Sequence, residues 1–156
     1  MGLEIERKFL VKGEFKKHAI QKIKISQGFL STVPERTVRI RLTNEKGFIT
    51  VKGIGNNSGT TRFEWEKEIS KIEAESLLKL CEPNIIEKYR YIVPVNNDLF
   101  FEVDEFIGLN KGLVVAEIEL PSENTVYEKP IWLGKEVTGK KQYYNSAIAQ
   151  KPFNKW

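Results

Sequence analysis

The segment Leu3–Val11 has the sequence LEIERKFLV, in which charged and apolar side chains alternate. Successive side chains of an extended strand point to opposite faces, so Glu4, Glu6 and Lys8 are expected to share one face. The apolar residues of the opposite face are Leu3, Ile5 and Phe9. The segment therefore predicts a strand with one ionic face and one apolar face.

Similar strand-like segments follow along the rest of the chain, and most of them repeat this alternation. The strand candidates are Leu3–Val11, Ile25–Ser31, Arg36–Thr43, Gly47–Ile54, Thr61–Glu68, Ile85–Val93, Leu99–Ile107 and Leu113–Leu120. Short turn signals such as IGNNSGT at 54–60 connect several of them, which favours antiparallel neighbours. Helices are predicted at 14–24, 72–81 and 143–150, and Ser70 and Glu73 have the spacing of a capping box.

The ionic faces of these strands consist mainly of like-charge pairs at alternate positions. The acids are Glu4, Glu6, Glu64, Glu66, Glu102, Asp104, Glu117 and Glu119, and the bases are Lys8, Arg39, Arg41, Lys52, Arg62, Lys88 and Arg90. Paired like charges repel unless an opposite charge lies between them. Carboxylates bind Mg²⁺ or Mn²⁺, whereas guanidinium groups bind phosphate oxygens. The pattern predicts a polyanion that is bound together with a divalent cation.

Two folds are compatible with strands of this kind. An antiparallel sheet with one solvated and one buried face would need no function. A solvated face usually mixes Lys, Thr, Ser and Asn, whereas these faces are dominated by arginines and carboxylates. We therefore predict a mainly β protein with a few flanking helices. About eight antiparallel strands can close into a barrel, and if their charged faces point inward the lumen becomes a charged tunnel.

Composition limits the other possibilities. The 156 residues are 40% hydrophobic and 29% charged, which suits a single domain over residues 1–156. The single cysteine excludes an internal disulfide, and no apolar run is long enough to span a bilayer. A cytoplasmic location is expected, since the first residues contain no apolar run typical of a signal peptide.

The net charge of +4 raises the alternative of a non-enzymatic module that binds polyphosphate or RNA phosphates. The paired carboxylates argue against it, because each would repel such a ligand. Nucleic acid and membranes are therefore not favoured as partners, and a small anionic substrate is.

The motif Glu4-x-Glu6-x-Lys8 resembles the signature of the CYTH superfamily, the triphosphate tunnel metalloenzymes. Further matching motifs follow in order along nearly the whole chain: Arg39-x-Arg41, Thr50-Val51-Lys52-Gly53, Arg62-x-Glu64-x-Glu66, Lys88-x-Arg90, Glu102-x-Asp104-x-Phe106 and Ala116-Glu117-Ile118-Glu119. Near the end, Val137-Thr138, Tyr144-Asn145 and Ala147 resemble the closing segment of the family.

The resemblance implies a tunnel of eight antiparallel strands that binds a triphosphate along its axis with Mg²⁺ or Mn²⁺. The implied substrate-binding residues are Lys8, Arg39, Arg41, Lys52, Arg62, Lys88 and Arg90. The implied metal ligands are Glu4, Glu6, Glu64, Glu66, Asp104, Glu117 and Glu119. The catalytic set expected among them is Lys8, Arg39, Arg41, Lys88, Glu64 and Glu66.

Within the superfamily, the short chain and the lack of an obvious nucleoside pocket favour an inorganic triphosphatase that converts tripolyphosphate to pyrophosphate and phosphate. A class IV adenylate cyclase and a nucleoside or thiamine triphosphatase remain alternatives, and the resemblance also allows a homodimer. Phe29 stands where relatives often carry tyrosine. Tyr143 and Tyr144 are expected to dock the last helix rather than to contact substrate, and Cys81 is expected in the core.

Overall fold

The computed structural model describes residues 2–156. The strands are β1 (Gly2–Val11), β2 (Gln21–Ser31), β3 (Thr37–Thr43), β4 (Lys46–Gly55), β5 (Thr61–Ser70), β6 (Ile86–Pro94), β7 (Phe100–Phe106), β8 (Val114–Glu119) and β9 (Leu133–Glu136). The α-helices are α1 (Lys71–Leu78) and α2 (Asn145–Gln150). Single turns of 3-10 helix lie at Lys16–His18, Gly108–Asn110, Lys141–Tyr143 and Phe153–Lys155.

The strands form one antiparallel sheet that closes on itself. Their order is β5-β4-β3-β2-β6-β7-β8-β1-β9, and β5 also pairs with β1. Strands β1 to β8 therefore make a closed barrel, and β9 is added beside the end of β1. The predicted mainly β fold and eight-stranded antiparallel barrel are confirmed.

The seam between β1 and β5 is short. Residues Gly2 to Ile5 pair with Glu64 to Thr61, and the Glu6 amide donates to the Thr60 carbonyl. Further along the same edge of β1, the Lys8 amide donates to Thr138 Oγ1 at 2.9 Å, and Phe9 pairs with Glu136 of β9. The C-terminal part of the chain therefore completes the barrel wall where β5 leaves it.

Apolar residues pack on both sides of the sheet. The larger cluster covers the outer face of β1 and β6 to β8 and includes Phe9, Phe101 and Trp132. A second cluster lies inside the barrel, because Phe29 pairs across the sheet with Arg39 and Phe106 pairs with Lys88. Helix α2 adds Ile148 and Ala149 to this inner cluster, so one end of the lumen is filled by apolar side chains.

The predicted helix at 14–24 is wrong. Only Lys16–His18 forms a helical turn, and β2 begins at Gln21. The first residues of β2 instead alternate between the two faces of the sheet. Ile25 is buried inside the barrel, while Lys22 and Lys24 lie over the ring of Tyr89 on the outer face.

The other two predicted helices form in shortened versions. Helix α1 begins after a capping box, in which Ser70 Oγ accepts from the Glu73 amide at 3.1 Å and the Ser70 amide donates to Glu73 Oε1 at 2.9 Å. Cys81, expected in the core, is only half-buried and donates to the Leu77 carbonyl. Neither α1 nor α2, the α-helices of residues 2–156, has the length and apolar character needed to cross a membrane.

Candidate active site

All of the predicted substrate-binding bases line one cavity in the middle of the barrel, here called the central cavity. Its lining residues are Glu6, Lys8, Phe29, Thr37, Arg39, Arg41, Lys52, Arg62, Lys88, Arg90, Glu117, Tyr144, Asn145 and Ser146. The cavity encloses about 40 Å³, which is room for a few water molecules. A triphosphate, the ligand that the resemblance implies, would have to extend beyond it into the neighbouring space.

Strand register explains why these side chains converge. Residues directly opposite each other in an antiparallel pair point to the same face. Lys8 faces Glu117, Lys52 faces Glu64, and Arg62 faces Glu4. Each of these three bases therefore enters the lumen beside an acid from the neighbouring strand.

The arginines crowd one another in the lumen. Burial, together with Arg39 and Arg90, lowers the pKa of Arg41. Burial and Arg90 also lower the pKa of Arg39. Within residues 2–156, Arg39 Nε is the buried side-chain nitrogen or oxygen that lacks a hydrogen-bond partner. The cluster therefore has both the excess positive charge and the free donor that an anionic ligand would satisfy.

Asp104 joins two of the bases. Its Oδ1 and Oδ2 accept from Arg90 Nε and Nη2 at 2.8 and 2.9 Å, and Oδ2 also lies 2.8 Å from Lys88 Nζ. Burial alone would raise the pKa of Asp104, but Arg90 and Lys88 lower it to about 2. Burial lowers the pKa of Lys88 to about 7, although Asp104 opposes this shift. Asp104 thus fixes the positions of Lys88 and Arg90.

A second cavity of about 180 Å³, here called the acidic cavity, adjoins the central cavity. Its acids are Glu4, Glu6, Glu64, Glu66, Glu102, Glu117 and Glu119. The two cavities adjoin, because they share the lining residues Glu6, Arg39, Arg41, Lys52, Arg90 and Glu117.

The acids of this cavity differ in how well they are neutralised. Glu4 contacts Lys52 Nζ at 2.9 and 3.1 Å. Burial alone would raise the pKa of Glu4, but Lys52 and Arg62 hold it below its usual value. Burial and the carboxylates of Glu117 and Glu4 raise the pKa of Glu6 well above its usual value. The negative charge near Glu6 is therefore only partly compensated by the protein.

These residues fit a hard divalent cation by donor type and by charge. Burial and nearby carboxylates, chiefly Glu4, raise the pKa of both Glu64 and Glu119. An added cation would offset this repulsion. In residues 2–156, no three acidic, histidine or cysteine side chains already converge closely enough to form a preformed metal cluster.

The structure separates the predicted metal ligands into two groups. Glu4, Glu6, Glu64, Glu66, Glu117 and Glu119 line the acidic cavity, and Glu102, which was not among them, lines it as well. Asp104 does not line this cavity, and both of its oxygens are bonded to bases.

A third cavity, here called the outer cavity, opens from the other side of the central cavity and encloses about 450 Å³. The residues that line both are Thr37, Arg62, Tyr144 and Ser146. The walls of the outer cavity come from the β2–β3 loop, the β4–β5 loop and residues between 139 and 150. No sequence pattern indicated this space, because much of its wall is formed by loops.

Several lining residues were missed by the sequence analysis. Tyr144, expected only to dock a helix, lines both the central and the outer cavity. Its ring lies 5.0 Å from Lys8 Nζ and 5.2 Å from Arg62 Cζ, distances typical of cation–π contacts. Asn145 and Ser146 also line the central cavity. The only signal for them was the resemblance of Tyr144-Asn145 to the closing segment of the family, since strand alternation does not extend to this part of the chain.

Comparison with known proteins agrees with this architecture. The model of the CYTH domain matches residues 2–150. The chain belongs to the CYTH domain family. A CYTH relative from Acetivibrio thermocellus, named inorganic triphosphatase, is 46% identical over 98% of this chain and 97% of its own length. A relative of the same name from Nitrosomonas europaea is 35% identical over 94% of this chain and 96% of its own length.

Solved structures have the same fold. The crystal structure of an inorganic triphosphatase superimposes with a TM-score of 0.67 at 32% identity, covering 94% of this chain and 93% of that one. A protein from Pyrococcus horikoshii superimposes with a TM-score of 0.61 at 23% identity, covering 78% of this chain and 80% of that one. At this lower identity the match supports the fold alone.

Proposed function

We propose that this CYTH protein hydrolyses inorganic triphosphate to pyrophosphate and phosphate, with residues 1–156 acting as one tunnel domain. The observation that carries the proposal is the central cavity, which is lined by every base of the ionic strand faces and adjoins a cavity lined by acids. The named activity of the two relatives supports the same conclusion.

The bases would hold the phosphate chain. Arg39, Arg41 and Arg90 present guanidinium groups to both the central and the acidic cavity, so they would bind the phosphate that spans the two. Lys8 and Lys88 would bind the part of the chain in the central cavity. Phosphoryl transfer depends on alignment of the phosphate chain and neutralisation of its charge, so binding by these bases is the main contribution of the protein to catalysis.

The acids would hold the divalent cation, which we propose to be Mg²⁺ or Mn²⁺. Glu6, Glu64 and Glu119 are the leading candidates, because they line the acidic cavity, where burial and neighbouring carboxylates raise their pKa values. A bound divalent cation would neutralise phosphate oxygens and lower the pKa of an attacking water. We propose that Asp104 positions Lys88 and Arg90 instead of binding the cation.

The test is a phosphate-release assay with tripolyphosphate and Mg²⁺ or Mn²⁺. Glu6→Gln should lower kcat by at least about a hundredfold, ~2.7 kcal/mol in activation free energy, while the barrel stays folded. Glu87→Gln is the matched control, since Glu87 is exposed on the outer face of β6. Absence of phosphate release by the wild type under these conditions would refute the proposal.

Hydrolysis of nucleoside triphosphates is a second candidate. The outer cavity of about 450 Å³ favours it, because this space adjoins Arg62 and could receive an organic group attached to the phosphate chain. This finding weakens the expectation, drawn from the sequence, that the chain has no room for a nucleoside. Comparing kcat/KM for ATP and tripolyphosphate, while also measuring cyclic AMP, separates the hydrolase candidates from the cyclase alternative.

A cytoplasmic site of action fits a substrate of this kind and is part of the proposal. Fractionation of cells that express the protein at its natural level would test it.

A further inference from the structure

Asn145, the first residue of α2, lies beside the bases that line the central cavity. Its Oδ1 accepts from Lys88 Nζ at 2.9 Å and from Gln27 Nε2 at 2.7 Å. Lys88 and Gln27 are fully buried. Both contacts bridge large separations in sequence, since Gln27 and Asn145 lie 118 residues apart.

These contacts fix the orientation of the Asn145 amide. The nitrogen of the Gln27 amide can only donate, so the Asn145 atom that faces it must be the oxygen. Gln27 is oriented in turn, because its own oxygen accepts from Arg41 Nε at 3.3 Å. The amide oxygen of Asn145 therefore accepts two hydrogen bonds.

The nitrogen of the same amide is left available. Among the hydrogen bonds of residues 2–156, none has Asn145 Nδ2 as donor, whereas Oδ1 accepts two. The side chain lines the central cavity, and Nδ2 is not among the buried atoms that lack a partner. An accessible amide nitrogen beside a cluster of cationic phosphate binders is a neutral donor for an oxyanion.

We propose that Asn145 is a substrate-binding residue whose Nδ2 donates a hydrogen bond to a phosphate oxygen of the bound triphosphate. The inference rests on the proposed function, to which it adds a neutral recognition group. The adjacent bases supply positive charge, whereas the amide is a neutral donor that Lys88 and Gln27 hold in one orientation. Asn145 thus selects the position of one phosphate along the tunnel.

The position of α2 makes this role possible. Ile148 and Ala149 pack in the inner apolar cluster, so the helix is anchored inside the barrel. A second anchor is Asn84, whose Nδ2 donates to the Ala149 carbonyl at 2.9 Å. The amide of Asn145 is therefore presented on a fixed support.

Two substitutions at Asn145 separate donation to phosphate from two alternatives, an effect of added charge and a role only in positioning Lys88. Asn145→Asp keeps acceptors for Lys88 and Gln27 but removes the donor, and Asn145→Ala removes donor and acceptor without adding charge. We expect both to weaken tripolyphosphate binding by at least about tenfold, ~1.4 kcal/mol. The measurement is calorimetric titration with tripolyphosphate in buffer containing EDTA, so that neither metal nor turnover contributes.

Other results would overturn the inference. A loss confined to Asn145→Asp would mean that the added charge alone weakens binding, and a loss confined to Asn145→Ala would mean that Asn145 only positions Lys88. Wild-type affinity in both variants would exclude any role.

Asn154→Asp is the matched control, since Asn154 is exposed and lines none of the three cavities. It adds the same charge and should leave the tripolyphosphate Kd within about twofold, ~0.4 kcal/mol. If the wild type neither binds nor hydrolyses tripolyphosphate, the proposed function fails. If the wild type does both and the Asn145 variants bind equally well, only the inference about Asn145 fails.

Discussion

Arg39 shows at the level of one residue how the site is prepared for an anion. Its Nη2 donates to Thr50 Oγ1 at 3.1 Å and lies 3.5 Å from Glu66 Oε2, while its buried Nε has no partner in residues 2–156. A buried donor without a partner costs about 1–3 kcal/mol. A phosphate oxygen that accepted from Nε would recover this free energy, so Arg39 favours the bound state.

Replacing the guanidinium group should reveal this contribution. Arg39→Lys keeps the positive charge but loses the planar fork, so we expect the Kd for tripolyphosphate to rise about tenfold, ~1.4 kcal/mol. Calorimetric titration measures the change. The control is Arg36→Lys, because Arg36 is exposed in the β2–β3 loop. Equal affinity in Arg39→Lys and the wild type would contradict a role for the guanidinium fork.

At the level of elements, α1 is stabilised by local interactions rather than by the tunnel. The helix has eight residues and buries only Ala74, so its capping box carries much of its stability. Hydrogen bonds from Ser70 lower the pKa of Glu73. The pKa of Glu73 is therefore lower in the folded state than in the unfolded state. At pH values above the unfolded-state pKa the ionised carboxylate stabilises the protein, and this contribution is lost as the pH falls through the folded-state pKa.

Glu73→Ala should therefore destabilise the protein at pH 7, and the difference from the wild type should shrink in acid, below about pH 4. Denaturant unfolding at the two pH values measures it. Glu75→Ala is the control, since Glu75 is exposed on the same helix. A difference that is independent of pH would show that the carboxylate of Glu73 does not act through its charge.

The whole molecule combines an apolar outer cluster with a lumen that contains closely spaced acids. Carboxylates of the acidic cavity, such as Glu4, Glu6 and Glu117, repel one another. A cation that binds the folded state and not the unfolded state stabilises it in proportion to its occupancy.

We therefore expect Mn²⁺ to raise the thermal unfolding midpoint of metal-free protein, with EDTA reversing the effect. A concentration of about 100 times the Kd would add ~2.7 kcal/mol. Glu6→Gln should reduce this metal-dependent increase, and Glu87→Gln should not. An equal increase in the wild type and Glu6→Gln would place the cation away from Glu6.

Much of the barrel could be predicted from the sequence because strand alternation is a local property. Alternation places the side chains of β1 (LEIERKFLV) on two faces, whichever strands lie beside it. The same rule places the bases of β3, β4 and β6 on one face, which is the lumen face in the structure. The capping box of α1 was predictable for the same reason. The predicted helix at 14–24 is wrong because its last residues, 21–24, already follow the alternation of β2.

Residues outside the alternating strands could not be assigned in this way. β9 has only four residues, and it forms because the edge of β1 beyond β5 is available for pairing. Tyr144 lies beside Lys8 and Arg62, and Asn145 contacts Lys88. Both residues follow a helical turn, so their positions depend on how the C-terminal segment packs against the barrel and not on strand alternation.

The sequence by itself determined which charges share a face, because the period of a strand is fixed by backbone geometry. It also determined the balance of acids and bases that indicates a metal-bound polyanion. Only the tertiary structure decided that the charged faces close into a lumen and that Asp104 is bonded to bases while Glu6 remains partly uncompensated. The insertion of α2, which brings Asn145 to Lys88, was decided in the same way, because these contacts join residues far apart in the chain and depend on how the barrel closes.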